Sequence, residues 1–116
     1  MHAPYPSFAA IELTGTKLKE VSNNKGIKIR RLEFVSASGI LDKNLAVWIF
    51  YETNAELTLR TSDGTNEKLK TDFLDELKKT KNILPFGAMP EAVVFKFDSH
   101  DNVILNYKGS YFLRLR

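Results

Sequence analysis

Cysteine is absent from this 116-residue chain. That excludes disulfides and thiolate zinc sites but leaves the compartment open, so the cytoplasm is the default expectation. Histidine is scarce, with only His2 and His100, and a histidine metal site or serine triad has almost no raw material. Gly15, Gly26, Gly39, Gly64, Gly87 and Gly109 all stand alone, whereas a phosphate-cradling loop needs clustered glycines whose backbone can approach the anion. The longest strongly apolar run, Leu45 to Tyr51, falls far short of the roughly 20 residues of a spanning helix. Met1-His2-Ala3-Pro4-Tyr5-Pro6 has neither the basic start nor the apolar stretch of a signal peptide. The expectation is a non-enzymatic protein, without cofactor or metal, that does not cross a membrane.

What is present is ordinary for a globular domain: 43% hydrophobic and 27% charged residues. A chain of this length removes roughly two-thirds of its unfolded surface from water, enough for a real core. One α+β domain over residues 1–116 is expected. The formal charge of +3 is small, but its distribution is uneven. Lys17, Lys19, Lys25, Lys28, Arg30 and Arg31 face only Glu12 and Glu20 within the first 31 residues, so the N-terminal third is the basic part.

Phe8, Ile11, Leu18 and Val21 can form one helical stripe over residues 7–22. Gly15 sits inside it between two β-branched threonines, at a helix-propensity cost of about 1 kcal/mol or more. The same segment also reads as a hairpin turning at Thr14-Gly15-Thr16; the helical spacing of its apolar residues makes helix the expectation. Gly26 ends the following polar loop and suits a left-handed conformation. From Ile27 and Ile29 to Leu32 and Phe34 the apolar parity changes, which implies a bulge near Arg30-Arg31. Leu45 to Tyr51, apolar on both faces, reads as a central strand. Glu56 to Thr61 alternates through Leu57 and Leu59 as a further strand. Leu69, Phe73, Leu74 and Leu77 define a helix at 66–81 behind the Asp63-Gly64 turn, with Thr65 or Asn66 as its cap. The chain then reads as a three-strand meander: Ala92 to Phe97, Val103 to Tyr107 and Tyr111 to Leu115. The expected architecture is a mainly antiparallel sheet of five or six strands with the 66–81 helix packed on one face.

Four groups of residues are candidates for function. Asp98-Ser99-His100-Asp101-Asn102 offers carboxylate, hydroxyl and imidazole together, although a hairpin turn needs short polar residues anyway. Lys25, Lys28, Arg30 and Arg31 could neutralise phosphates in a sequence-independent nucleic-acid contact, but the aromatics that would stack on bases are expected in the core. Trp48, Phe50, Phe73, Phe95 and Phe97 could line an apolar pocket between sheet and helix. Tyr111, Phe112, Arg114 and Arg116 would form an edge strand whose arginines discourage indiscriminate pairing. The expected strands carry more apolar side chains on their two faces than one helix covers, which points to a docking surface or a pocket.

The strand Trp48-Ile49-Phe50-Tyr51-Glu52, the helix end Phe73-Leu74-Asp75-Glu76-Leu77 and the expected hairpin from Val94–Asp98 through Asn102–Tyr107 together resemble small α+β immunity proteins that neutralise secreted bacterial toxins. The resemblance covers about half the chain and implies a protein partner held by occlusion rather than catalysis. It carries no binding residue over, and the basic chain departs from the acidic character common in nuclease inhibitors. The leading expectation is a protein-interaction module, an immunity-type inhibitor or a homodimer. A small apolar ligand or a weak nucleic-acid contact is the alternative.

Overall fold

The computed structural model describes residues 8–35, 44–83 and 92–115. Among them, eight elements follow one another: α1 (Phe8–Asn24), β1 (Arg31–Val35), β2 (Asn44–Tyr51), α2 (Asn54–Ser62), α3 (Thr65–Ile83), β3 (Ala92–Ser99), α4 (His100–Tyr107) and α5 (Tyr111–Arg114). The strands form one sheet in the order β1-β2-β3. β1 runs antiparallel to β2, with Arg31 opposite Phe50 and Val35 opposite Ala46. β3 runs parallel to β2, with Asn44 beside Ala92 and Tyr51 beside Ser99. Parallel neighbours need a long crossover, and α2 and α3 supply it.

Strand alternation sends β2 side chains to two separate cores. Leu45, Val47, Ile49 and Tyr51 meet Ile11 and Leu18 of α1 and Leu69, Phe73 and Leu77 of α3. Ala46, Trp48 and Phe50 point the other way, towards Val103 and Tyr107 of α4 and Tyr111 of α5. The α3 stripe recurs every four residues, and all three of its members are fully buried. Each such burial stabilises the fold by about 1.5–3 kcal/mol.

Gly15 explains how α1 comes so close to the sheet. A Cβ there would lie 3.0 Å from Phe34 Cζ and 3.3 Å from Leu32 Cδ1, so the glycine that weakens the helix locally also permits its contact with β1. Ile27, Ile29, Leu32 and Phe34 all join the same core. The Arg30 amide bonds the Phe50 carbonyl at 2.8 Å while Arg31 is aligned with Phe50. Two consecutive arginines therefore oppose one residue, the arrangement by which a bulge absorbs a change of parity.

The sheet corrects the expected architecture: among the described residues, three strands in mixed pairing replace the five or six mainly antiparallel ones. Glu56 to Thr61 lies within α2. Thr53 is extended and its hydroxyl accepts from the Glu56 amide at 3.0 Å, while Arg60 Nε donates to Glu56 Oε1 at 3.0 Å one turn on. Those local bonds form a helix start, and the two leucines part company: Leu57 packs against the first core while Leu59 is 51% exposed, so they do not share one inward strand face. The terminal meander is likewise one strand followed by two helices. Ser99 ends β3 and caps α4 directly, accepting from the Asn102 amide at 3.0 Å. Val103, Tyr107 and Tyr111 then recur at four-residue spacing as the apolar ridge that covers the second face. Lys108, left-handed at φ 53°, closes α4 as the Gly109 amide bonds Val103 O. Thus α1 and α3 share one face and the C-terminal helices close the other.

Candidate functional site

Because β1 is antiparallel to β2 and β3 is parallel to it, the start of β1 and the ends of β2 and β3 meet at one end of the sheet. This is where open sheets with parallel strands collect ligands. The polar side chains gathered there are largely occupied with one another. Asp98 accepts from the Ser99 amide at 2.8 Å and from Asn102 Nδ2, and it pairs with Arg114 Nε. The Ser99 hydroxyl donates to Asn54 Oδ1, and Asp101 Oδ2 accepts from the Asn54 amide at 3.0 Å. His100 Nδ1 bonds the Tyr111 hydroxyl at 2.7 Å, and the two rings stack. Ser99 and His100 therefore have separate partners, and the serine–imidazole pairing that a nucleophile needs is not made. These groups cap α4 and strap α2 and α5 to the strand ends. Burial raises the Tyr111 hydroxyl pKa, while Arg30 and Arg31 pull it down.

Beside this end, the sheet edge opens into a groove. A concavity of about 630 Å³ lies between Lys19, Glu20 and Asn23 of α1 and the stretch Lys28-Ile29-Arg30, with Glu52 at its end. A second, of about 370 Å³, continues along β1 between Glu12, Gly15 and Thr16 on one side and Arg31, Leu32 and Phe34 on the other. Lys19 and Arg30 line both, so the two hollows adjoin along the β1 edge. Arg30 pairs with Glu52 at 3.6 Å, and Arg31 pairs with Glu33. Lys19 and Lys28 have no ion-pair partner among the described residues. The groove is lined by charges of both signs.

The four cations singled out from sequence separate in part. Lys28, Arg30 and Arg31 border the groove, while Lys25 pairs with Asp72 at 3.4 Å and ties the end of α1 to α3. The aromatic set separates by face: Trp48 and Phe50 stack at 5.9 Å beneath α4 and α5. Phe73 meets Phe95 edge-on at 5.7 Å in the opposite core, which Phe97 joins. The sheet itself stands between the two halves of that set. Of the anticipated edge strand, Tyr111, Phe112 and Arg114 belong to α5; Arg116 lies outside the described residues. Tyr111 is buried, Phe112 is 68% exposed, and Arg114 stacks on Trp48 at 4.5 Å while pairing with Asp98.

Lys19, Glu12 and Glu33 were not singled out from sequence. The signal was available in α1, where Glu12, Thr16, Lys19, Glu20 and Asn23 form an exposed polar stripe at helical spacing beside the buried one. Among the described residues no helix is long and apolar enough to cross a membrane, and no cluster of three metal-ligating side chains occurs. Comparisons with protein-family models, curated proteins and solved structures return no match.

Proposed function

We propose that the protein is a non-enzymatic protein-interaction module that receives a partner chain along the β1 edge and the facing side of α1. The observation that carries this reading is the open groove beside a strand that, among the described residues, pairs with β2 alone. An edge strand presents a row of backbone donors and acceptors to an incoming strand, and strand addition draws affinity from those bonds and specificity from flanking side chains. An immunity-type inhibitor that occludes its target falls within this reading. Charge composition favours a polypeptide over a nucleic acid. A phosphate backbone carries one sign throughout and would meet Glu12, Glu20 and Glu52 in the groove, whereas a peptide can intersperse charges to match. Phe34, the aromatic at the groove wall, has its ring end against Gly15 and packs on Phe73 at 6.0 Å, so its face is committed to the core rather than to base stacking.

Selection of a displayed random-peptide library on the folded chain tests the reading. Enriched peptides are expected to slow exchange of the β1 amides and to lose binding when Leu32 is replaced by proline, provided circular dichroism shows that variant folded. Peptides that protect only α4 and α5, or no enrichment at all, would overturn the β1 assignment. A salt-sensitive gel shift of single-stranded RNA, abolished by charge reversal at Lys28, Arg30 and Arg31, would instead establish the nucleic-acid alternative.

A further inference from the structure

We infer that the chain seated in this groove is a second copy of the same protein, joined antiparallel through β1 about a twofold axis at Leu32. This rests on the β1-edge reading and names its occupant. In an antiparallel pair, residues directly opposite one another share a face of the sheet. Centring the pairing on Leu32 places Arg31 opposite the partner's Glu33 and, by symmetry, Glu33 opposite the partner's Arg31. Arg31 and Glu33 already lie on the same face, paired with each other, so both can turn to the new neighbour without changing sides. Centring on Arg31 or on Glu33 would instead set identical charges against each other at the axis, and centring on Phe34 leaves both charges without opposite partners in the strand. Among these registers, the one at Leu32 alone is charge-complementary across the strands, and opposite charges directly across a ladder are favourable where like charges are not.

The helix repeats the pattern over the same point. Glu12 and Lys19 both line the groove, two turns apart on α1. Their midpoint falls between Gly15 and Thr16, and Gly15 is the residue whose Cβ position lies 3.3 Å from Leu32. A twofold axis through Leu32 therefore passes close to the centre of that charged pair. It brings the two α1 helices side by side and antiparallel, with Glu12 facing the partner's Lys19 and Lys19 facing the partner's Glu12. The mixture of signs along the groove, unsuited to a uniformly charged ligand, is what an isologous interface requires: each patch must complement itself. The product is one continuous six-stranded sheet in which two edges are consumed and two remain.

Light scattering and sedimentation equilibrium of the full chain are expected to return twice the monomer mass. Arg31→Glu alone and Glu33→Arg alone should each weaken self-association at least tenfold, since each sets like charges across the axis in both pairs. Mixing the two variants in equal amounts should restore a heterodimer, because one chain then offers two acidic side chains and the other two basic ones. Glu12→Lys and Lys19→Glu repeat the exchange on α1, and circular dichroism confirms that each variant is folded. A native chain that stays monomeric at millimolar concentration, or folded variants whose mixtures fail to associate, would overturn the proposal. If library peptides still protect β1 in that event, the edge remains a docking strand for another protein; if they do not, both readings fall.

Discussion

The two faces of β2 are closed by different means. On the α1 and α3 side, the contacts are made by two long helices, and the buried residues are mostly aliphatic with Phe73 and Tyr51 among them. On the α4 and α5 side, two short helices set a few aromatic rings against Trp48 and Phe50, and cations lie over those rings. Arg31 sits 4.2 Å from the Tyr111 ring, while Lys96 and Arg114 sit 5.1 and 4.5 Å from Trp48. Among the described residues, four of the six exposed large hydrophobics, Ile104, Leu105, Phe112 and Leu113, belong to this second layer. A long helix can bury a whole stripe, but a helix of one or two turns offers so few inward positions that charged side chains with apolar stems complete the cover. The first face is expected to carry the larger share of the stability, and the second to depend on a small number of polar and cationic partners.

The largest effect that sharpens this contrast is expected from Phe73→Ala. Phe73 is fully buried between Phe34 and Phe95, and its truncation should cost about 3–5 kcal/mol by chemical denaturation. Phe112→Ala, at a residue 68% exposed on the second face, should change stability by no more than about 0.5 kcal/mol. Comparable losses at the two positions would mean that the α5 layer carries as much of the fold as α3 does.

Second in size is the Asp98–Arg114 pair. Asp98 is 5% exposed, so Arg114→Ala leaves a buried carboxylate without its counter-ion and strips a guanidinium from Trp48 and Tyr107. A loss of about 2–4 kcal/mol is expected. Arg114→Lys should recover less than half of that, because a point charge cannot pair with Asp98 and lie flat on the indole at once. Full recovery by lysine would show that charge alone holds the second face.

How much of this could be read beforehand differs between the same two faces. The first was legible: the α1 and α3 stripes, the central position of β2, and the Asp63-Gly64 turn all follow from apolar periodicity and turn chemistry. Gly26 adopts the expected left-handed φ of 77°. Asn66, by contrast, does not cap α3. Its side chain accepts from the Tyr51 hydroxyl and donates to Thr61, tying α3 to β2 and α2. The second face is not legible in the same way, because Val103 to Tyr107 and Tyr111 to Leu115 are short apolar runs, which periodicity cannot separate into helix or strand. The deciding signals are polar and local: Ser99 with Asp101 and Asn102 for α4, and, on the first face, Thr53 with Glu56 for α2, the one element there that periodicity does not identify and whose Leu57 packs against that core. The groove was half legible, since its arginines stood out as a cluster, but the opposing stripe of α1 becomes a wall only once Gly15 brings the helix against β1.

A smaller, pH-dependent effect separates the two tyrosines. Tyr51 is fully buried and its hydroxyl donates to Asn66 Oδ1 at 2.6 Å; burial raises its pKa well above the ordinary 10.0. The unfolded chain loses that proton as pH climbs past about 10, while the folded chain resists, so the stability linked to Tyr51 is intact below pH 10 and declines above it. Tyr51→Phe should cost about 1–2 kcal/mol at neutral pH through the orphaned Asn66 oxygen, and should flatten the alkaline decline. Tyr111→Phe should flatten it less, since Arg30 and Arg31 oppose the effect of burial there. Denaturation midpoints between pH 7 and 11 decide the order, and equal slopes for the two variants would refute it.

The smallest effect lies inside the first face, where α1 meets α3. Thr14 and Thr80 are both fully buried, their hydroxyls 3.0 Å apart, and each also bonds a carbonyl one turn back in its own helix: Ala10 O at 2.8 Å and Glu76 O at 2.9 Å. Thr80 already spends its only proton on Glu76, so the bond across the helices exists only when Thr14 turns its proton away from Ala10. A shared proton makes the contact a weak one, and Thr14→Val or Thr80→Val alone should cost about 1 kcal/mol. The double variant replaces both hydroxyls by methyl groups of the same shape and leaves no polar atom facing an apolar one. It should therefore cost less than the sum of the singles by about 0.5 kcal/mol or more, a coupling that a double-mutant cycle measures directly. Strict additivity would mean that the two hydroxyls serve only their own helices, and that α1 is held to α3 by apolar packing alone.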